Sequence, residues 1–329
     1  MSPVAPTLQR FFTERLVKHR HVSPRTITSY RDSLKLLFEF VQQRTAKLPV
    51  TLDWSDLDVD VITAFLEHLE TARGNSPRTR NLRLTAIRSL FAYAALCHPE
   101  HAELIQRVLA IPAKRFDKQL VSFLTTAEID ALIDAPDCDR WEGRRDRALL
   151  LLAIQTGLRV SELTGLNCGD ITLGSGANVR CLGKGRKHRA VPLTSQTRAV
   201  LRVWMAERGD VGDRPLFPTR TGRRLSTDAV ERLVRGHAAT AAKRCPTIKP
   251  DQLHPHVLRH SCAMALLHAG VDTAVIALWL GHADLRSTNV YLHADMTIKQ
   301  RALELTTPTS ASPGRYRPDD ALLAFLESL

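Results

Sequence analysis

Aromatic residues are scarce in this chain, at 5% of 329 residues. That scarcity argues against a single-strand nucleic-acid binder, which relies on aromatic platforms for stacking. No apolar run reaches the length needed to cross a bilayer. The opening "MSPVAPTLQRFF" has no signal-peptide core. The six cysteines (Cys97, Cys138, Cys168, Cys181, Cys245 and Cys262) are scattered and form no C-x-x-C pair. They read as reduced thiols of a cytoplasmic protein and argue against a structural zinc site. Acidic residues are also in deficit: Asp and Glu number 34 against 46 Lys and Arg, a formal charge of +12. The excess favours a polyanionic partner, nucleic acid first and an anionic membrane surface second.

What is present is enough apolar material, 44%, for real cores, and the length suggests two domains. The first reads as helices. "SPRTITSYRDSLKLLFEFV" has Ser23 as N-cap and Pro24 at the first helical position, with Ile27, Tyr30, Leu34, Leu37, Phe38 and Val41 at helical spacing. "SPRTRNLRLTAIRSLFAYAA" repeats that opening at Ser76, Pro77, Arg78 and Thr79. The repeat is good capping chemistry. It is equally a way to set Arg25, Arg78 and two helix N-termini against DNA phosphates. "DVDVITAFLEHLETARG", ended by Gly74, and "APTLQRFFTERLVKHR" complete the helical set.

Periodicity weakens after residue 110. Pro112, Lys114, Arg115 and Lys118 form a basic linker over 111–124, with Lys114, Arg115 and Lys118 as candidate DNA contacts. The first domain is therefore set at 1–110 and the second at 125–305. The second starts at a capping box, Thr125 with Glu128. "RDRALLLLAIQTGLRVSELTGL" reads as a buried helix, a turn at Gly157 and a further helical turn. "DITLGSGANVRCLGKGRKHRAVPL" is the one convincing β region, and helices return from Ser195. Residues 306–329 form a Pro/Ser/Thr tether and a short helix striped with Leu322, Phe325, Leu326 and Leu329.

"HPHVLRHSCAMALLH" gathers His254, His256, His260, His268 and Cys262. His256 and His260, four apart, share a helix face and suit zinc by spacing. Arg259 between them is a poor neighbour for a metal ion and a good one for a phosphate. Three other segments carry cations or imidazoles: "TGLRVSEL", "LGKGRKHRAVPL" and "WLGHADLRSTNVYLH". Each alone has a bland reading: a salt-bridge arginine, a basic hairpin turn, a helix cap, a core tyrosine.

Together, in this order and spacing, the four segments resemble the tyrosine recombinase (phage integrase) family, the Xer-like branch most closely, from about Phe123 to Leu305. The resemblance implies a mainly α fold: a helical, SAM-like core-binding domain, then an α-rich catalytic domain with a small antiparallel β-sheet. It implies Arg159, Lys184, His256, Arg259 and His282 as catalytic residues, with Tyr291 as nucleophile. Lys187 is the alternative to Lys184 if the turn shifts. Glu162 matches the supporting acidic residue, and His260 either supports Glu162 or the backbone or does neither. His254, His268 and Cys262 read as packing or capping residues.

The chemistry agrees. A phenol attacks a phosphodiester in line, two arginines hold the non-bridging oxygens, a lysine protonates the leaving 5′ oxygen, and His256 accepts the tyrosine proton. The cations do what metal ions do elsewhere, so neither metal nor cofactor is expected. Of four tyrosines, Tyr30 and Tyr93 fall in apolar helical segments and Tyr316 in the tail, which leaves Tyr291. The implied activity is site-specific recombination through a 3′-phosphotyrosine, by a homo-tetramer on two double-stranded DNA sites, alone or with a related recombinase. The terminal helix is expected to dock on a neighbouring protomer. Rival readings are a type IB-like topoisomerase, a DNA-binding regulator of the same fold and, weakest, a metal-dependent nuclease.

Overall fold

A computed structural model describes residues 3–116, 121–183, 188–209, 212–282, 288 and 291. Lys118, Lys184, Lys187 and the segment from 306 to 329, all singled out above, lie outside the described residues. The chain divides into two compact units, Met1–Lys118 and Gln119–Leu329, and the division falls inside the basic stretch 111–124.

The first unit is helical. Helix α1 (Val4–Arg10) runs on into a π-helical stretch, Phe11–His19. Helices α2 (Pro24–Thr45), α3 (Val59–Thr71), α4 (Pro77–Cys97) and α5 (Ala102–Leu109) follow. The repeated Ser-Pro-Arg-Thr openings cap as their chemistry dictates: Ser23 Oγ accepts from Thr26 N and Ser76 Oγ from Thr79 N, each at 3.3 Å. Leu34, Leu37, Phe38 and Val41 of α2 are buried, while Ile27 and Tyr30 are half-buried nearer its start. Their core partners are Ile62, Phe65, Leu66 and Leu69 of α3, and Leu84, Ile87, Leu90 and Phe91 of α4. Arg25 and Arg78, at the second position of α2 and α4, are exposed.

The second unit surrounds one buried helix. Helix α6 (Thr126–Ile133) opens on the expected capping box, with Thr125 N donating to Glu128 Oε2 at 2.8 Å. Helix α7 (Trp141–Thr156) carries the run Leu149–Ala153, and all five of these side chains are buried. A helix apolar on every side must lie inside, and α7 packs against α9 (Ser195–Arg208) and α11 (Pro255–His268). Helices α8 (Val160–Gly165), α10 (Thr227–Ala241) and α12 (Thr273–Leu280) complete the unit. Strands β1 (Ile171–Thr172), β2 (Asn178–Leu182) and β3 (His188–Pro192) form one antiparallel sheet in that order. Among the described residues no helix is long and apolar enough to cross a membrane.

Candidate active site

Two left-handed glycines set up the site. Gly157 (φ 62°) stops α7 and Gly281 (φ 64°) stops α12. Helix ends leave carbonyls without intrahelical donors and carry partial negative charge. Arg259, on α11, meets both ends: Nη1 donates to Gly157 O at 2.6 Å and Nη2 to Leu280 O at 2.7 Å. Arg159, the N-cap of α8, sits next to it in this frame, with Nη2 donating to Gly281 O at 3.0 Å. Two arginines distant in sequence are thus brought together by backbone carbonyls at two helix C-termini.

Glu162 ties the cluster together. Its Oε1 accepts from Arg159 Nη1 at 2.8 Å and its Oε2 from Arg159 N at 2.7 Å. The same oxygens accept Arg189 Nη1 and Nη2, each at 2.9 Å. Burial works to raise the Glu162 pKa, but the bonds from Arg189 and Arg159 prevail and hold it below the usual carboxylate range. Arg259 is pulled down to about 10, first by burial and then by the charge of Arg159, and so remains protonated at neutral pH. Three guanidiniums against one carboxylate leave the cluster two positive charges in excess, around a carboxylate that is itself buried.

The imidazoles and the tyrosine lie beside this charge. Tyr291 is 2% exposed. Its Oη is hydrogen-bonded to His260 Nδ1 at 3.1 Å, and its ring lies parallel to that of His282, centroids 6.3 Å apart at 14°. His282 Nδ1 is bonded to Thr288 Oγ1 at 2.8 Å. Burial, reinforced by neighbouring cations, pushes both His260 and His282 down to about 4, so both rings are neutral at pH 7. Burial raises the Tyr291 pKa, against the lowering pull of Arg259.

Of the expected residues, the structure brings together Arg159, Glu162, Arg259, His260, His282 and Tyr291. His256 is exposed on the same α11 face, its ring 6.5 Å from that of His260. Glu162 takes its bonds from Arg159 and Arg189, and His260 holds the tyrosine hydroxyl. His268 packs edge-on against Phe123, and Cys262 is buried with its thiol 3.4 Å from Gln155 O. His254 is the N-cap of α11 but makes no side-chain cap bond. In the first unit Arg115 is exposed, whereas the Lys114 ammonium already donates to Glu70 Oε1 at 3.0 Å.

Two contributors escaped the motif reading. Arg189 lies in "GKGRKHRAVPL" and reads there as one more hairpin cation. The period-two alternation that puts it on the same strand face as buried Val191 was the available signal. Arg224 closes the other end of α8, donating to Gly165 O at 2.7 Å and Asn167 Oδ1 at 2.6 Å. Only the tertiary fold reveals it.

Residues 122–297 match the phage integrase family, and residues 9–96 match the phage integrase N-terminal SAM-like domain. The chain belongs to the phage integrase family of tyrosine recombinases. It is 51% identical over 328 residues to the Sinorhizobium fredii (strain NBRC 101917 / NGR234) protein y4rC, which carries an integrase/recombinase name, covering 99% of this chain and 98% of that one. It is 33% identical over 285 residues to the tyrosine recombinase XerC of Pseudomonas syringae pv. syringae (strain B728a), covering 85% and 89% respectively. The fold resembles the XerH site-specific recombinase in a post-cleavage complex with palindromic difH, at a TM-score of 0.69 and 23% identity, covering 87% of this chain and 81% of that one.

Proposed function

We propose that this integrase-family chain is a site-specific DNA recombinase that cleaves and rejoins duplex DNA through Tyr291. The observation that carries the reading is the tyrosine hydroxyl bonded to one neutral imidazole, with a second imidazole parallel to its ring, beside paired arginines. The Tyr291 oxygen attacks the scissile phosphorus, and the bond to the 5′ oxygen breaks. Arg159 and Arg259 bind the non-bridging oxygens and offset the extra negative charge of the pentacoordinate state. His282 stacks on the phenol and orients it. The phenolic proton passes to an imidazole. His260 holds it in the DNA-free chain, and exposed His256, one turn earlier on the same face, is the acceptor once the hydroxyl turns out toward the phosphate. Lys184, which lies between β2 and β3 in sequence, protonates the departing 5′ oxygen. The products are a 3′-phosphotyrosine and a 5′-hydroxyl. The bond energy stays in the ester, so the hydroxyl of a second strand reverses the step without ATP.

On this reading residues 1–110 are the core-binding domain and 111–124 a basic linker, with Arg25, Arg78, Arg115 and Lys118 on DNA phosphates. Residues 125–305 are the catalytic domain. Exchange between two duplexes calls for four protomers, hence a tetramer on DNA. The reaction takes place in the cytoplasm. The exchange serves movement of a mobile element, which fits the integrase/recombinase name of y4rC, or resolution of joined chromosomes or plasmids.

The test starts from a random duplex library. Adducts that survive denaturation are captured and their DNA ends sequenced, which reveals the site. A linear substrate carrying two such sites should then yield exchanged products. Relaxation of supercoils without exchange would point to a type IB-like topoisomerase, and tight binding without adducts to a DNA-binding regulator.

A further inference from the structure

We infer that Arg189 is a positioning residue for strand cleavage: it holds Glu162, and Glu162 holds Arg159 where a scissile phosphate meets it. This rests on the proposed role of Arg159 as a phosphate ligand.

The bonds divide the labour. A carboxylate offers about four acceptor positions, and four donors occupy those of Glu162. Arg189 places one donor on each oxygen, at 2.9 Å. Arg159 also places one on each, its side chain at 2.8 Å and its backbone N–H at 2.7 Å. The fork from Arg189 keeps the carboxylate from pivoting, so the Arg159 guanidinium has a fixed anchor. It also supplies the charge that neutralises Glu162. Without it, Arg159 alone would balance a carboxylate whose side chain is 4% exposed, and its own charge would be drawn back from the phosphate.

Exposure separates the two arginines. The Arg159 side chain is 26% exposed and that of Arg189 13%. Arg159 is the more open of the two and divides its terminal nitrogens between Glu162 and the Gly281 carbonyl, while Arg189 spends both of its own on Glu162. Its platform is stiff: β3 pairs with β2 in register, Arg189 opposite Cys181. The fold also clears room for it. A Cβ on Gly281 would lie 2.7 Å from Arg189 Nη1, and Gly281 supplies the carbonyl that Arg159 binds. Arg189, Glu162, Arg159 and Gly281 therefore form one continuous contact chain. Lysine keeps the charge but lacks the planar fork.

The experiment compares single-turnover cleavage by the full-length wild type, Arg189→Lys, Arg159→Ala and the double variant, with DNA affinity and thermal unfolding measured alongside. Arg189→Lys should cleave about tenfold more slowly with DNA affinity within about twofold of wild type. Because Arg189 acts through Arg159, the double variant should be no slower than Arg159→Ala alone. Wild-type speed in Arg189→Lys overturns the proposal. So does a double variant slower than Arg159→Ala by the full Arg189→Lys factor, since that marks independent action. If Arg189→Lys unfolds, Arg189→Gln, which keeps one donor, is put through the same cycle under the same criteria. A wild type that forms no adduct, or a Tyr291→Phe variant that still forms one, would instead defeat the recombinase reading itself.

Discussion

Arg259 and Arg159 are held in different ways, and the difference sets their expected mutant behaviour. Arg259 is 4% exposed and bridges two helix C-termini. Removing it leaves two buried carbonyls unpaired, at about 1–3 kcal/mol each. Arg259→Ala should therefore lose both activity and melting temperature. Arg159→Ala, at the rim of the cluster, should lose about two to three decades of cleavage rate with a smaller loss of stability. Equal destabilisation of the two variants would contradict this division. For the imidazoles, His256→Ala should slow cleavage of bound DNA, whereas His260→Ala should chiefly release the Tyr291 hydroxyl in the free protein. The pKa of Tyr291, raised by burial, should then fall in a spectrophotometric titration referenced to Tyr291→Phe. An unchanged titration would mean that His260 does not govern the phenol.

At the scale of elements, the meeting of α7, α11 and α12 is where stability and pH converge. His260 and His282 sit near 4 in the fold against an ordinary value of 6.5. The unfolded chain thus takes up these protons first, so their contribution is whole above pH 6.5 and is lost as pH falls toward 4. Glu162, also lowered, adds a loss at still lower pH. The unfolding midpoint should drop between about pH 7 and 4, and His282→Gln should flatten that drop. Equal slopes in the two proteins would contradict the assignment. Gly281→Ala should cost at least about 1–2 kcal/mol from its left-handed backbone alone, and it should also slow cleavage because the new methyl group meets Arg189.

Most of these elements were legible in the sequence: both Ser-Pro capped helices, the Thr125–Glu128 box, the buried α7 and the β region. Local chemistry decides each of them. The partners of Glu162 were not legible. Arg189 is 27 residues away and its strand is only five residues long, so the alternation that puts it on the face of Val191 is a weak signal and does not name Glu162 as its partner. The partner of His260 was open for a related reason: sequence spacing fixes the face of α11 but not what that face meets.

For the whole molecule, the charge of +12 predicts DNA affinity that falls steeply with salt. Arg25→Ala and Arg78→Ala should each weaken binding evenly across DNA sequences and make the salt slope shallower by about one. A loss confined to one DNA sequence would mean base readout rather than phosphate contact. Lys114→Ala should matter less, because Glu70 already engages that ammonium. The central claim is more direct than any of these: Tyr291 becomes covalently bound to DNA, with charge supplied by side chains. The decisive measurement is peptide mapping by mass of the adduct formed on a nicked suicide substrate in EDTA. The account predicts one modified peptide, carrying a 3′-phosphodeoxynucleotide on Tyr291, in unchanged yield with chelator and absent from Tyr291→Phe. A normal adduct in Tyr291→Phe, or cleavage that stops in EDTA and returns with zinc, would contradict it.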